Sequence, residues 1–283
     1  MKFRQEIEQS IAQTFGSGTW RRGTCYVCDV KEGTPDRKQS FGYNSDTGYF
    51  HCFRCGVKGF EKGAKPTARP VEPKEVPEFE APEGYHGLAE PTYKTAMCTE
   101  PARQYLLSRG VGEKVWEEVG IGVAMDGFLA GRIIVPIKGY EGEWKGWQAR
   151  VWTPTTTGLK YKNAKGMDRH TTFFNMQALQ KETDEPLLVM EGTFDALPYW
   201  PYAVAVLGKP SHGQVSLLKQ CKRPVVICLD GDAHIEAEML CLNMRTAGKP
   251  DTYYVKLPAK EDPSTVDRDW LLSEAMRKVG KHG

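Results

Sequence analysis

Residues 187–191 read Leu187-Leu-Val-Met-Glu191 and residues 225–232 read Val225-Val-Ile-Cys-Leu-Asp-Gly-Asp232. In each, a short apolar run stops on an acid. Two further runs, Ala203 to Leu207 and Thr252 to Leu257, have the same length, and helix-length intervals separate all four. Strands alternating with helices predict a parallel sheet wrapped by helices, closed by a last helix from Asp267 to about Val279. Open α/β sheets bind ligands at the carboxyl edge of their strands, which is where Glu191 and Asp230-Gly-Asp232 fall.

In an extended segment residues two apart point the same way, so Asp230 and Asp232 are expected to share a face with Glu191 opposite. Clustered carboxylates repel at neutral pH unless a cation sits among them, and an all-oxygen ligand set favours Mg²⁺ or Mn²⁺. Asp262, in Glu-Asp-Pro after the run ending at Leu257, is expected at the same edge, where it could hold a second ion. A single Asp-x-Asp is ordinary turn chemistry. Several acids, each at the end of its own strand, are what point to metal.

Upstream, Arg132 to Ile137 and Trp144 to Trp152 flank Lys-Gly-Tyr-Glu-Gly-Glu and predict a β-hairpin, preceded by helical spacing over Pro101 to Val119. From Arg132 to His170 eight Lys/Arg face three Asp/Glu, a local +5, whereas Glu182 to Glu238 holds nine acids against four bases, a local −5. A basic tract beside an acidic one suits a phosphate polymer approaching a metal edge, although the net charge of the chain is only +2. Trp144, Trp147, Trp152 and Tyr161 are interleaved with Arg132, Arg150, Lys160, Lys162, Lys165 and Arg169, so charge neutralisation and base stacking are available together.

Near the amino end, Cys25-Tyr-Val-Cys28 and Cys52-Phe-Arg-Cys55 are two Cys-x2-Cys knuckles separated by 23 residues, the spacing of a zinc ribbon. Four thiolates complete a closed tetrahedral site, so one structural zinc is expected, with His51 an exposed polar neighbour. Cys98, Cys221, Cys228 and Cys241 lack such pairing and read as ordinary core or helix thiols. Phe3, Ile7, Ile11 and Phe15 recur every four residues and predict a short amino-terminal helix. Between Glu61 and Gly84, prolines 66, 70, 73, 77 and 82 alternate with Lys and Glu, which reads as a tether spanning about 27 Å as a coil and about 75 Å as polyproline II.

The 283 residues are 40% hydrophobic, enough for one substantial core and a small second module. No apolar run approaches membrane-spanning length and the start lacks a signal-peptide core, so a soluble cytosolic protein without a membrane partner is expected. There is no Gly-x4-Gly-Lys-Ser/Thr loop, so no helicase domain is expected within this chain.

Taken in order, these motifs resemble one family over most of the chain. Cys25 to Gly59, with Tyr49-Phe-His-Cys-Phe-Arg-Cys-Gly56, is similar to the zinc-binding module of bacterial and phage replicative primases. Tyr105-Leu-Leu-Ser-Arg-Gly110, Gly131-Arg-Ile-Ile-Val-Pro-Ile137, Gly146-Trp-Gln-Ala-Arg150 and Lys160-Tyr-Lys-Asn163 resemble the basic subdomain of their RNA-polymerase domain. Val189-Met-Glu-Gly-Thr-Phe-Asp-Ala196, Leu229-Asp-Gly-Asp-Ala233 and Asp262-Pro263 resemble its Toprim metal site. The resemblance implies a zinc-ribbon β domain over 1–60, a linker over 61–87, a basic α+β subdomain over 88–180 and a Toprim-type α/β subdomain over 181–283. It implies that Glu191, Asp230, Asp232 and Asp262 hold one or two Mg²⁺ or Mn²⁺, with Glu191, Asp230 and Asp232 catalytic and Asp195 in support. Arg132, Arg150, Lys160, Lys162 and Asn163 would meet nucleotide or DNA.

The zinc module is expected to select the start site on single-stranded DNA through Tyr26, Arg37, Phe53 and Arg54. Ribonucleoside triphosphates would be the substrates and a separately encoded replicative helicase the partner, in a bacterial or phage-infected cytosol. Four cysteines, in place of the Cys-His-Cys-Cys common in bacterial enzymes, bring the chain nearer to phage primase–helicases. Ala233-His-Ile235 departs from the family's usual Ala-Gly. Two other readings share these parts: a non-enzymatic Toprim and zinc recombination mediator, and a Toprim nuclease or topoisomerase.

Overall fold

The computed structural model describes residues 3–61, 63, 78–89, 93–152 and 159–280. Most of the proline-rich stretch, including prolines 66, 70, 73 and 77, lies outside the described residues. The chain divides into two units, Met1–Val76 and Pro77–Gly283.

In the first unit, helix α1 (Arg4–Ala12) precedes β1 (Trp20–Gly23), helix α2 (Tyr26–Glu32), β2 (Phe41–Asn44), β3 (Tyr49–Cys52) and β4 (Lys58–Phe60). The strands form one antiparallel sheet in sequence order. Ile7 of α1 is buried with Val27, Phe41 and Phe50, and the two phenylalanine rings stack at 5.8 Å. The expected helical stripe stops early. α1 ends at Ala12, so Phe15 lies beyond it, exposed and bridged to Arg22. So few apolar side chains leave a core too small to stand alone, and cysteines 25, 28 and 52 make up part of it.

The second unit opens with β5 (Tyr85–Gly87), beyond the Glu61–Gly84 tether but inside the 61–87 linker expected from the resemblance. The pattern there is short and proline-flanked, and its pairing partner lies far along the chain. Helices α3 (Tyr93–Ser108) and α4 (Glu113–Val119) follow, then β6 (Gly122–Ala124), β7 (Arg132–Lys138), β8 (Trp144–Val151) and β9 (Tyr161–Asn163). These strands make a five-stranded antiparallel sheet in the order β5-β6-β7-β8-β9, with β7 and β8 the expected hairpin. α3 begins eight residues before Pro101, which sits inside it.

The remaining elements are β10 (Leu187–Met190), α5 (Thr193–Ala196), β11 (Ala203–Ala205), α6 (His212–Gln220), β12 (Val225–Ile227), α7 (His234–Thr246), β13 (Thr252–Tyr254) and α8 (Arg268–Lys278). Here the strands are parallel, in the order β11-β10-β12-β13. Residues on the two faces of β10 go to different cores: Leu188 and Met190 join the cluster shared with Trp116, Ile133 and Phe194, while Leu187 and Val189 pack with Leu218 and Met244. Asp267 caps α8 by accepting from the Trp270 amide at 2.7 Å. Among the described residues no helix is long and apolar enough to cross a membrane.

Candidate metal centres and nucleic-acid faces

The four cysteines converge. Cys25 and Cys28 bracket the first turn of α2, and Cys52 ends β3 just before the turn carrying Cys55. Their Sγ atoms all lie within 4.8 Å of one another, with Cys25–Cys55 at 3.7 Å and Cys28–Cys52 at 3.6 Å. A tetrahedron with Zn–S bonds of about 2.3 Å has edges of about 3.8 Å, so the donor set fits zinc without rearrangement. Amides of Arg54 and Cys55 point at the Cys52 sulfur, which favours the thiolate. Burial pushes the Cys25 thiol up to about 12, so binding the ion must displace protons. Asp36, buried beside the knuckle, accepts from the amides of Cys25, Lys38 and Ser40 and from the Ser40 hydroxyl. Burial alone would raise its carboxyl, but those donors outweigh it and hold the group below the usual range.

At the carboxyl edge of the parallel sheet, Glu191 leaves β10 and Asp230 lies just beyond β12. Residues 231–233 form a 3₁₀ turn, so Asp230 and Asp232 are not two steps along an extended strand as expected. The turn is wedged against the 258–261 loop: the Gly231 amide donates to the Glu261 carbonyl at 2.8 Å, and a Cβ on Gly231 would lie 1.9 Å from the Pro258 carbonyl oxygen. This close approach draws Asp262 toward Asp230. Ser264 donates to the Asp262 carboxylate through both amide and hydroxyl, at 3.0 and 2.6 Å, and Arg109 donates to the Ser264 hydroxyl.

The acids feel one another. Burial, with the charges of Glu191, Asp262 and Asp232, pushes Asp230 up to about 6, against the pull of Lys160. Burial, with Asp262 and Asp230, pushes Asp195 up to about 7, against Arg109 and Arg150. Asp230 Oδ1 is buried with no hydrogen-bond partner. An orphaned carboxylate oxygen among like charges fits a divalent cation. Among the described residues only the four cysteines bring three or more ligand atoms within 4.8 Å of one another, so no three of the carboxylates close around one point. Such spacing suits Mg²⁺, which keeps several waters and takes other ligands from phosphate.

The basic residues divide by role. Arg132 is buried and donates to the carbonyls of Leu159 at 2.7 Å and Lys160 at 3.4 Å, so it braces the loop that carries Lys160. Arg150 is buried under Phe194, Tyr161 and Tyr105, 4.6, 5.2 and 5.8 Å from the ring centres, and donates to the Tyr161 hydroxyl. Lys160 is exposed and near enough to Asp230 to affect its ionisation. Lys162 lies 3.4 Å over the exposed Phe128 ring. Asn163 accepts from Gln148 at 3.1 Å and Gln148 accepts from Thr193 at 2.5 Å, tying β9 and β8 to the start of α5, two residues after Glu191. Arg109, just beyond the end of α3, escaped the charge count because it lies upstream of the basic tract; the motif from Tyr105 to Gly110 contains it but does not single it out.

On the first unit's sheet, register places Arg22, Gly42, His51 and Lys58 in one row, with Trp20, Tyr49 and Phe60 on the same face. Gly42 leaves room for its neighbours: a Cβ there would meet Phe53 at 3.5 Å and Trp20 at 3.6 Å. Arg22 stacks over Phe53 at 5.0 Å, and His51 packs on it at 4.7 Å. Trp20, Phe53 and Phe60 are exposed, which makes a platform of aromatic faces edged by cations. Phe53 belongs to that platform. Arg54 does not, since it is held by Glu32 at 2.7 Å, the Pro35 carbonyl at 2.9 Å and the Thr34 hydroxyl. Tyr26 and Arg37 lie outside the sheet, in α2 and the loop after it. Alternation at Trp20/Arg22, Tyr49/His51 and Lys58/Phe60 was the signal that would have found the face.

No family model matches the chain. It is 24% identical over 331 aligned residues to the DNA primase of Enterococcus faecalis, covering 88% of this chain and 52% of that protein. It is 23% identical over 312 residues to the DNA primase of Escherichia coli, covering 82% and 53%. The chain thus spans about half the length of the curated relatives it matches. Among solved structures it is similar to the zinc-binding and RNA polymerase domains of the Aquifex aeolicus primase, with a TM-score of 0.56 and 19% identity over 98% of this chain and 83% of that one. It is also similar to a DnaG primase catalytic domain bound to ssDNA, with a TM-score of 0.53 and 24% identity over 64% of this chain and 71% of that one. Its relatives are DNA primases, and its fold is that of a primase zinc-binding domain followed by a primase RNA polymerase domain.

Proposed function

We propose that this chain synthesises short RNA primers on single-stranded DNA by template-directed nucleotidyl transfer from ribonucleoside triphosphates. The observation that carries the reading is the orphaned Asp230 carboxylate among Glu191, Asp232 and Asp262, facing Lys160 on a primase fold. In the reaction the 3′ oxygen of one nucleotide forms a bond to the α-phosphorus of the next, the bond to the bridging oxygen breaks, and pyrophosphate leaves. Mg²⁺ or Mn²⁺, held by Glu191, Asp230, Asp232 and Asp262, would supply positive charge for that transfer. Asp195 and Arg109 brace the acids from behind. Lys160 and Lys162 meet phosphate, while Arg132, Arg150 and Asn163 hold the strand that presents them. The zinc unit grips template through Trp20, Arg22, His51 and Phe53. A soluble enzyme acting in the cytosol beside a separately encoded helicase fits this reading.

The test is incorporation of labelled ribonucleotide on single-stranded DNA of random sequence, with and without Mg²⁺. Template-dependent oligoribonucleotides are expected. Cleavage of DNA without polymerisation would instead assign the acids to a nuclease, and DNA binding with neither activity would assign the chain to a recombination mediator.

A further inference from the structure

Beside the acidic edge lies a second, basic basin that the proposed transfer leaves unused. Beyond β11 the chain turns through Leu207, at φ 61°, and Gly208, at φ 123°, before entering α6. The basin, of about 750 Å³, has Arg169 and His170 on one wall, Lys209 and His212 on the other, and Leu240 in its lining. A smaller cavity of about 250 Å³ is lined by Glu191 and Leu229 and shares Gly208, Lys209, Pro210 and Leu240 with the first. The two therefore adjoin along that shared wall, the smaller reaching Glu191 and the larger carrying Arg169, Lys209 and the two histidines.

The walls are fixed before anything binds. Gln214, fully buried, donates to the carbonyls of Thr172 at 2.7 Å and Val206 at 2.9 Å, and accepts from the Ser211 amide at 3.0 Å. The Ser211 hydroxyl donates to the His170 carbonyl, and a Cβ on Gly213 would lie 2.6 Å from that same oxygen. One buried amide side chain thus clamps the 170–172 segment to the 206–211 loop. The side chains of Arg169, Lys209 and His212 are exposed, with no hydrogen bond or ion pair among the described residues. Asp168, next to Arg169 in the chain, is engaged by the His170 amide and the Thr171 hydroxyl. Glu191 and Glu236 line the smaller cavity.

Arg169 and Lys209, left without an ion pair on a fixed frame beside two imidazoles that can donate hydrogen bonds, are arranged for a compact polyanion, since part of the cost of gathering them is met in folding. A strand backbone would ask for a row of such groups; here they surround one basin of ligand-pocket size. We infer that the basin holds the 5′-triphosphate of the nucleotide that begins the chain, whose 3′ end lies at the Glu191 edge. This rests on the proposed polymerase reading. It adds a place for the one triphosphate that the transfer does not consume.

The experiment compares two starts on the same single-stranded template with the full-length chain. One reaction begins from nucleoside triphosphates alone, the other from a supplied dinucleotide with a 5′-hydroxyl. Arg169→Ala and His212→Ala, which lie away from the acidic edge, are expected to raise KM for the triphosphate start about tenfold, while KM for the dinucleotide moves less than about twofold. Arg169→Lys should recover part of the loss. Equal loss in both starts, or none in either, overturns the inference. Calorimetry with inorganic tripolyphosphate in EDTA separates the two readings: Arg169-dependent binding by a chain that makes no RNA from either start keeps the phosphate basin and overturns the polymerase. Tripolyphosphate binding that ignores both substitutions removes the basin whatever the chain synthesises.

Discussion

Asp232 is exposed and Asp230 half-buried, so they contribute differently although one glycine separates them. Asp232→Ala is expected to lower primer synthesis on the order of 10³-fold, about 4 kcal/mol of transition-state stabilisation. Its thermal midpoint should not fall, because removing one charge relieves repulsion on Asp230. Near-normal synthesis would remove Asp232 from the metal site. Gly231 makes a stricter demand. Any Cβ there meets the Pro258 carbonyl, a backbone atom that cannot swing aside, so Gly231→Ala must push the 258–261 loop away and carry Asp262 with it. A loss of about 1–3 kcal/mol in stability is expected, with a weaker Mg²⁺ requirement curve for synthesis, measured by thermal unfolding and metal titration. Unchanged metal dependence would mean that this contact does not set the spacing of the acids. Glu191 and Asp230 were readable in the sequence because each ends an apolar run. The demand on Gly231 was not, since the atom that imposes it lies 27 residues away and Asp-Gly reads as a common turn.

At the level of elements, the hairpin and the four parallel strands were legible because their periodicity is local. What escaped was pairing at a distance: β5, three residues long, is a strand only because β6 lies beside it, and α3 runs through Pro101. The exposed face of the first unit's sheet is a similar case, since Trp20, Tyr49, Phe53 and Phe60 meet only after four strands align. Phe53→Ala and Trp20→Ala are each expected to weaken binding of single-stranded DNA by about 1–3 kcal/mol if one base stacks on each ring. Tyr26→Ala, off the sheet, should have little effect. Fluorescence anisotropy with a labelled oligonucleotide decides it, and equal losses at all three positions would deny that the face is the platform. The Asn163–Gln148–Thr193 link makes a second element-scale demand. Gln148→Leu strands the buried Thr193 hydroxyl and should cost about 1–3 kcal/mol of stability by chemical denaturation. A neutral outcome would show that β9 is positioned by other contacts.

At the scale of the whole molecule the chain is two units, and each depends on different forces. The first unit owes its fold to four sulfurs around one site, so chelation of zinc should unfold β2 and β3, seen as rapid amide exchange, while the parallel sheet stays protected. Protection of both sheets after verified metal removal would mean that the small core suffices. The division also says where a shorter chain must begin. Phe79 packs against the second unit's core and Tyr85–Gly87 pairs with β6, so a fragment from Pro77 retains every element of that unit, whereas one from Leu88 loses an edge strand. Starting a chain is harder than extending one, because two free nucleotides are held on the template by few base pairs and ordering costs dominate. A tethered unit that grips the template turns a bimolecular encounter into an intramolecular one, with effective concentrations that reach about the millimolar range for short flexible linkers. Without the first unit, the Pro77 fragment should therefore extend a supplied dinucleotide with little loss but start new chains at least about 10²-fold more slowly, and at sites no longer selected by sequence. Sequencing the products made on random templates measures both effects. If the fragment starts at the same sites and with the same efficiency as the whole chain, the zinc unit does not read the template, and the aromatic platform on its sheet must serve another partner.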